Sequence, residues 1–130
     1  MQLTRDYLDC AIQLLEVGAI DEFLASYVAE DVQWVITGSS VLGGIYSSRA
    51  HFINTAIARL KRSLDGDIQW KIENVIMDGC IAVLEMTSKA VSKHGMPYNN
   101  QYVWILEFNG KMFSKVRVYF DDVLADKIIK

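Results

Sequence analysis

A chain of 130 residues with 52% hydrophobic and 22% charged residues has the size and balance of one globular domain, which excludes a disordered or fibrous chain. Its formal net charge of −3 argues against a nucleic-acid partner, because neutralising phosphates needs a basic surface. Cys10 and Cys80 lie far apart, Met1 to Asp9 is polar and unlike a secretory leader, and no apolar run approaches the roughly 18 residues of a membrane span, so the expectation is a reduced, cytoplasmic protein with no membrane contact.

Thr4 suits the N-cap of a first helix in which Leu8, Ala11, Ile12 and Leu15 recur at helical spacing until Gly18 stops it. Ile20, Phe23, Leu24, Tyr27 and Val28 repeat the stripe in a second helix, with Asp21 and Glu22 in its first turn, where negative charge opposes the helix dipole. Val32 to Thr37 is β-branched and aromatic and predicts a short strand running into a Gly- and Ser-rich loop, Gly38 to Gly44. Ser47 or Ser48 then caps a third helix with the stripe Phe52, Ile53, Ala56, Ile57, Leu60 and Leu64, ended by Asp65-Gly66. The basic cluster Arg59, Lys61 and Arg62 falls at the end of that helix, where cations complement the dipole.

In the second half Ile68, Trp70 and Ile72 alternate with Gln69, Lys71 and Glu73, and turn signals at Asp78-Gly79 and Asn109-Gly110 predict two hairpins. Ser92 to Pro97, with Gly95 and the only proline, reads as a surface turn between them. The sum is an α+β fold over 1–130 as a single domain, with three helices on one face of a curved antiparallel sheet. A sheet wrapped round one long helix is the rival, and two helices ahead of any strand disfavour it.

A two-residue turn at Asn109-Gly110 pairs Trp104 with Lys115, Tyr102 with Arg117, Asn100 with Tyr119 and Tyr98 with Asp121. Those side chains would share one face, mixing aromatics with polar groups in the manner of a cavity, while Val103, Ile105, Val116, Val118 and Phe120 would form an apolar opposite face. In the first hairpin the same count places Ile68, Trp70, Ile72, Ile81, Val83, Glu85, Thr87 and Lys89 together, with Glu85 at a strand end that water reaches. His51 and His94 have no Cys or carboxylate at ligand spacing, and no phosphate loop, dinucleotide fingerprint or hydrolase elbow is present, so neither metal nor cofactor is expected.

The segments Phe23 to Trp34, Gly43 to Tyr46, Asn100 to Lys111 and Val116 to Asp121 carry a pattern of size and polarity. Over nearly the whole chain it resembles the nuclear transport factor two-like superfamily, particularly its SnoaL-like polyketide-cyclase and ketosteroid-isomerase-related branches. The resemblance implies a cone whose sheet curls round a pocket with helices at its mouth. It also implies a homodimer through the outer sheet face, here Val103, Ile105, Val116, Val118 and Phe120. The catalytic residues of the isomerase branch do not carry over. Val35-Ile36-Thr37 lacks its base, and Ala11 or Ile12 and Trp104 stand where its oxyanion-hole tyrosine and acid would be. The cyclase-like branch implies a carboxylate near the end of the last strand, a position matched by Asp121. The resulting expectation is a pocket for a small hydrophobic or aromatic molecule contacted by Trp34, Asn100, Tyr102, Trp104, Arg117 and Tyr119. Asp121 would be the base for isomerisation, cyclisation or hydration, with Arg117 holding an enolate-like oxygen. Two alternatives stand beside it: Asp121 as the N-cap of a short helix from Val123 to Lys127, and a non-catalytic ligand-binding or dimerisation module whose cavity is filled by Trp70, Trp104 and Phe113.

Overall fold

The computed structural model describes all residues from Met1 to Lys130. Helix α1 (Arg5–Glu16) starts where Thr4 Oγ1 accepts from the Tyr7 N–H at 3.1 Å, and it buries Leu8, Ala11, Ile12 and Leu15. Gly18 ends it at φ +83°, a conformation that a Cβ would strain. Helix α2 (Ile20–Tyr27) buries Phe23 and Leu24. Strand β1 (Val28–Ile36) follows without a loop, because Val28 closes the helix with its N–H on Leu24 O while already extended. It therefore begins ahead of the expected Val32.

A short edge strand β2 (Gly44–Tyr46), unmarked in the sequence, pairs antiparallel with β1. The long helix α3 runs continuously through residues 49–63, as Arg49–Phe52, a π-helical turn Ile53–Ile57, and Ala58–Ser63. Ser48 Oγ accepts from the His51 N–H at 3.0 Å and is its cap. Strands β3 (Gln69–Asp78), β4 (Ile81–Lys89), β5 (Gln101–Phe108) and β6 (Phe113–Phe120) complete the sheet, and a C-terminal helix, Asp122–Ile128, closes the chain. The sheet order is β2-β1-β6-β5-β4-β3, with every neighbouring pair antiparallel except β1 and β6, which are parallel. No helix is long and apolar enough to cross a membrane.

The second hairpin differs from a two-residue turn, and the difference decides the site. Asn109 Oδ1 accepts from the N–H groups of both Lys111 and Met112, and Asn109 N–H bonds the Met112 carbonyl, so the loop spans 109–112 and Phe108 pairs with Phe113. A bulge at Ser114 then slips the register one residue more, because Glu107 pairs with Lys115. Together the changes are odd in number, and an odd slip turns a strand over. Trp104 consequently faces Val118 and Tyr102 faces Phe120, while Arg117 lies opposite Ile105 and Tyr119 opposite Val103. Val116, Val118 and Phe120, expected outside, point into the molecule.

In the first hairpin Asp78 pairs with Ile81, so Gly79-Cys80 forms the turn, and a bulge between Ile72 and Asn74 shifts the rest. Trp70 and Ile72 oppose Ser88 and Met86, and the inner face of β4 is Ala82, Leu84, Met86 and Ser88. Ile81, Val83, Glu85, Thr87 and Lys89 lie outside, away from Trp70 and Ile72, with Glu85 exposed and accepting from Asn74 Nδ2 at 2.9 Å.

Candidate functional site

The inner sheet face does not close fully against α3. Between them lies a cavity of about 100 Å³, and sixteen of its twenty lining residues are hydrophobic. From α3 it takes Phe52, Ala56, Ile57 and Leu60, from β1 Trp34 and Ile36, and from β6 Val118 and Phe120. Ala56 and Ile57 belong to the π turn. Such a turn offsets the residues that follow it, and here its small Ala56 side chain helps leave the space open.

An aromatic frame surrounds the cavity. Trp34 stacks on Phe52 at 4.0 Å between ring centroids and meets Trp104 edge-on at 5.3 Å. Trp104 meets Trp70 edge-on at 5.4 Å, Trp70 meets Tyr102 at 4.8 Å, and Tyr102 stacks on Phe120 at 5.8 Å. Arrangements of this kind contribute ~0.5–1.5 kcal/mol per pair beyond the burial of area. The indole N–H groups of Trp34 and Trp104 are buried and lack a hydrogen-bond acceptor, which is an unusual cost to leave in a core.

One end of the cavity is polar. Tyr98 and Tyr102 both line it, with their hydroxyls 3.4 Å apart, and Ser88 Oγ lies 3.1 Å from the Tyr102 hydroxyl. Asn100 is buried behind them and donates from Nδ2 to the Tyr98 hydroxyl at 3.2 Å. Burial pushes both phenols above their ordinary pKa, Tyr102 well above it, because a phenolate there would be stripped of water. Hydrogen bonds from Tyr102 and Asn100 offset part of that effect at Tyr98. At neutral pH both are protonated and able to donate. Gly18, Ile20, Lys61 and the 66–68 loop also line the cavity, and Lys61 Nζ lies 3.3 Å from Asp21 of α2. Asp67 is the carboxylate among the lining residues. No three His, Cys, Asp or Glu side chains gather into a metal-binding group.

Of the residues singled out from the sequence, the structure brings Trp34, Tyr102 and Trp104 together at the cavity. Asn100 stands one layer behind and reaches it through Tyr98. Arg117 and Tyr119 are on the outer face because of the slipped hairpin. Arg117 Nη1 pairs with Glu107 Oε2 at 2.7 Å, and Tyr119 is 46% exposed. Asp121 is exposed as well, and its Oδ1 accepts from the Leu124 N–H at 3.1 Å as the cap of the C-terminal helix. Trp70 and Trp104 line the cavity without filling it, and Phe113 packs elsewhere, against Tyr7 and Phe108. Sequence reasoning placed Tyr98 on the cavity face without naming it as a contact, and it missed Val118 and Phe120 as lining residues. The alternation of Val116, Val118 and Phe120 with Lys115, Arg117 and Tyr119 was the available signal, and the turn count overrode it.

No protein-family profile matches the chain, and no curated protein matches it. Solved structures do. An NTF2-like protein of unknown function from Burkholderia pseudomallei superposes with a TM-score of 0.77 at 17% identity, over 92% of each chain. A putative SnoaL-like polyketide cyclase from Jannaschia gives a TM-score of 0.75 at 12% identity, over 94% of this chain and 90% of its own. A hypothetical protein with a ketosteroid isomerase-like fold from Catenulispora acidiphila, in complex with trimethylamine, gives 0.72 at 16% identity, over 95% of this chain and 93% of its own. Six curved strands and their covering helices are thus the NTF2-like, SnoaL-like architecture, to which this chain is similar in fold over most of its length.

Proposed function

We propose that this protein binds a small, largely apolar, ring-sized molecule in the cavity between the sheet and α3. The observation that carries the reading is the cavity itself, about 100 Å³ enclosed by aromatic and aliphatic side chains with hydroxyls at one end. A dry apolar cavity of roughly 150 Å³ is enough to hold benzene, so a space of this order suits one ring and no more unless the walls part. The trimethylamine complex is an instance of a similar fold holding a small molecule. Binding is favoured over proton transfer by Asp121, because that carboxylate is exposed and engaged by the Leu124 N–H.

All three tryptophans line the cavity, so their fluorescence reports occupancy. Titration with benzene, toluene and cyclohexane is expected to give saturable changes that vanish in Ala56→Phe, whose added ring occupies the space. A linear response with every compound, or the same curve in Ala56→Phe, would remove the reading.

The implied homodimer, if formed through the outer sheet face, uses Ile76, Val83, Val103, Ile105 and Tyr119 in place of the inward Val116, Val118 and Phe120. Sedimentation velocity of the unmodified protein and of Val103→Lys tests it: a dimer lost in the variant is the expected result. We place the protein in the cytoplasm on its two cysteines, both free and exposed.

A further inference from the structure

The cavity reading leaves the chemistry of the ligand undefined, and the hydrogens around Tyr98 narrow it. Asn100 is oriented by its own partners. Its Oδ1 accepts from the backbone N–H groups of Gln101 at 2.7 Å and Asp121 at 3.2 Å. Nδ2 is therefore the atom that donates to the Asp121 carbonyl at 3.0 Å and to the Tyr98 hydroxyl at 3.2 Å. At the Tyr98 oxygen a second hydrogen arrives from the Tyr102 hydroxyl, 3.4 Å away.

Behind Tyr102 the same direction continues. The Asn100 N–H donates to Ser88 Oγ at 3.2 Å, and Ser88, 3.1 Å from the Tyr102 oxygen, can donate to it, which frees the Tyr102 hydrogen for Tyr98. The chain of donors thus runs from Asn100 through Ser88 and Tyr102 to Tyr98. Each bond in such a relay polarises the next. At its end the Tyr98 oxygen has received two hydrogens, and its own hydrogen meets no protein acceptor. Tyr98 is 1% exposed and lines the cavity, so water outside the fold does not satisfy it. The indole N–H groups of Trp34 and Trp104, in the same wall, are also without acceptors. The unspent hydrogen-bonding capacity here consists of donors in an apolar setting, and a donor so placed selects an acceptor.

We infer that the ligand is a neutral molecule of about one ring bearing a carbonyl-type oxygen, and that the Tyr98 hydroxyl holds that oxygen at the polar end of the cavity. The inference rests on the cavity being a ligand site. A carboxylate is disfavoured, since its charge would be desolvated among hydrophobic walls, and the one cationic lining residue, Lys61, is exposed and already paired with Asp21. A plain hydrocarbon would leave the Tyr98 hydrogen unused.

The test is a cycle of two proteins and two isosteric probes: wild type and Tyr98→Phe, each titrated with cyclohexanone and methylenecyclohexane by tryptophan fluorescence. Removing one neutral hydrogen bond should weaken cyclohexanone by about tenfold in Tyr98→Phe and move methylenecyclohexane by less than about twofold. The carbonyl stretch of cyclohexanone bound to the wild type should lie below its value in alkane solution, a readout that needs no variant to fold. Equal changes for both probes, or a bound carbonyl stretch at the alkane value, would overturn the assignment while leaving the cavity reading intact. Failure of both probes to bind the wild type, with benzene and toluene also failing, would overturn the cavity reading and this inference with it.

Discussion

Replacing Asp121 separates its two possible roles, and the expected size follows from its contacts. The Asp121 side chain makes one hydrogen bond, from the Leu124 N–H to Oδ1 at 3.1 Å, at the start of the C-terminal helix. Its backbone does different work, because its N–H and C=O are both held by Asn100, the residue that orients Tyr98. Asp121→Ala deletes the cap and spares the backbone anchor. Loss of an N-cap costs about 1 kcal/mol, whereas Asp121→Asn keeps a capping oxygen and should stay within a few tenths of wild type, about 0.3 kcal/mol. With an unfolding entropy of about 2.1 cal/mol/K per residue over a chain of this length, the alanine variant should melt about 4 °C lower. Calorimetry gives the melting shift, urea titration the free energy, and fluorescence the ligand affinity, which should be unchanged in both variants. A loss of affinity in Asp121→Asn with stability intact would refute the cap assignment and restore the carboxylate to the site.

Other outcomes follow from the same contacts. Ser88→Ala strips a partner from the buried Tyr102 hydroxyl and from the Asn100 N–H, and should cost about 1–3 kcal/mol in urea unfolding. Arg117→Ala removes a half-exposed pair with Glu107 on the outer face and should change stability by less than about 1 kcal/mol and cavity binding not at all. Tyr98 and Tyr102 titrate higher when folded than when unfolded, so the unfolded chain releases those protons first. Their contribution is fully present below the unfolded phenol value near 10 and is lost as pH rises through the folded values. Stability should therefore be flat through neutral pH and fall in the alkaline range. Burial raises Tyr7 and Tyr46 as well, so absorbance at the phenolate band should show four of the six tyrosines ionising late, Tyr102 last or only with unfolding.

The helical half of the molecule is legible in the sequence because its signals are local. Thr4 and Ser48 cap where they stand, Gly18 stops α1, and the stripe Leu8, Ala11, Ile12 and Leu15 is the buried face. The hairpins are legible in place and illegible in register. The Asn109 side chain draws two backbone N–H groups onto itself and lengthens the loop, and Ser114 adds a bulge, features that a two-residue turn template does not contain. That odd slip removed Arg117 and Tyr119 from the site and brought in Val118 and Phe120. The parallel pairing of β1 with β6 leaves no local trace either. Val28 meets Phe113, and Trp34 meets Val116, across most of the chain. Residues 53–57 carry no proline or glycine to mark the π turn. Trp34, Tyr102 and Trp104 were found because bulky aromatics on the inner face of a curved sheet must line whatever space it encloses.

The claim beneath all of this is that the ligand space lies between α3 and the inner face of β6. Nuclear Overhauser contacts from bound benzene to methyl-labelled protein test it directly. Contacts are expected to the methyl groups of Val118 and Ala56 and none to Val103. Contacts to Val103 in place of Val118, or none to any methyl group under saturating benzene, would contradict it.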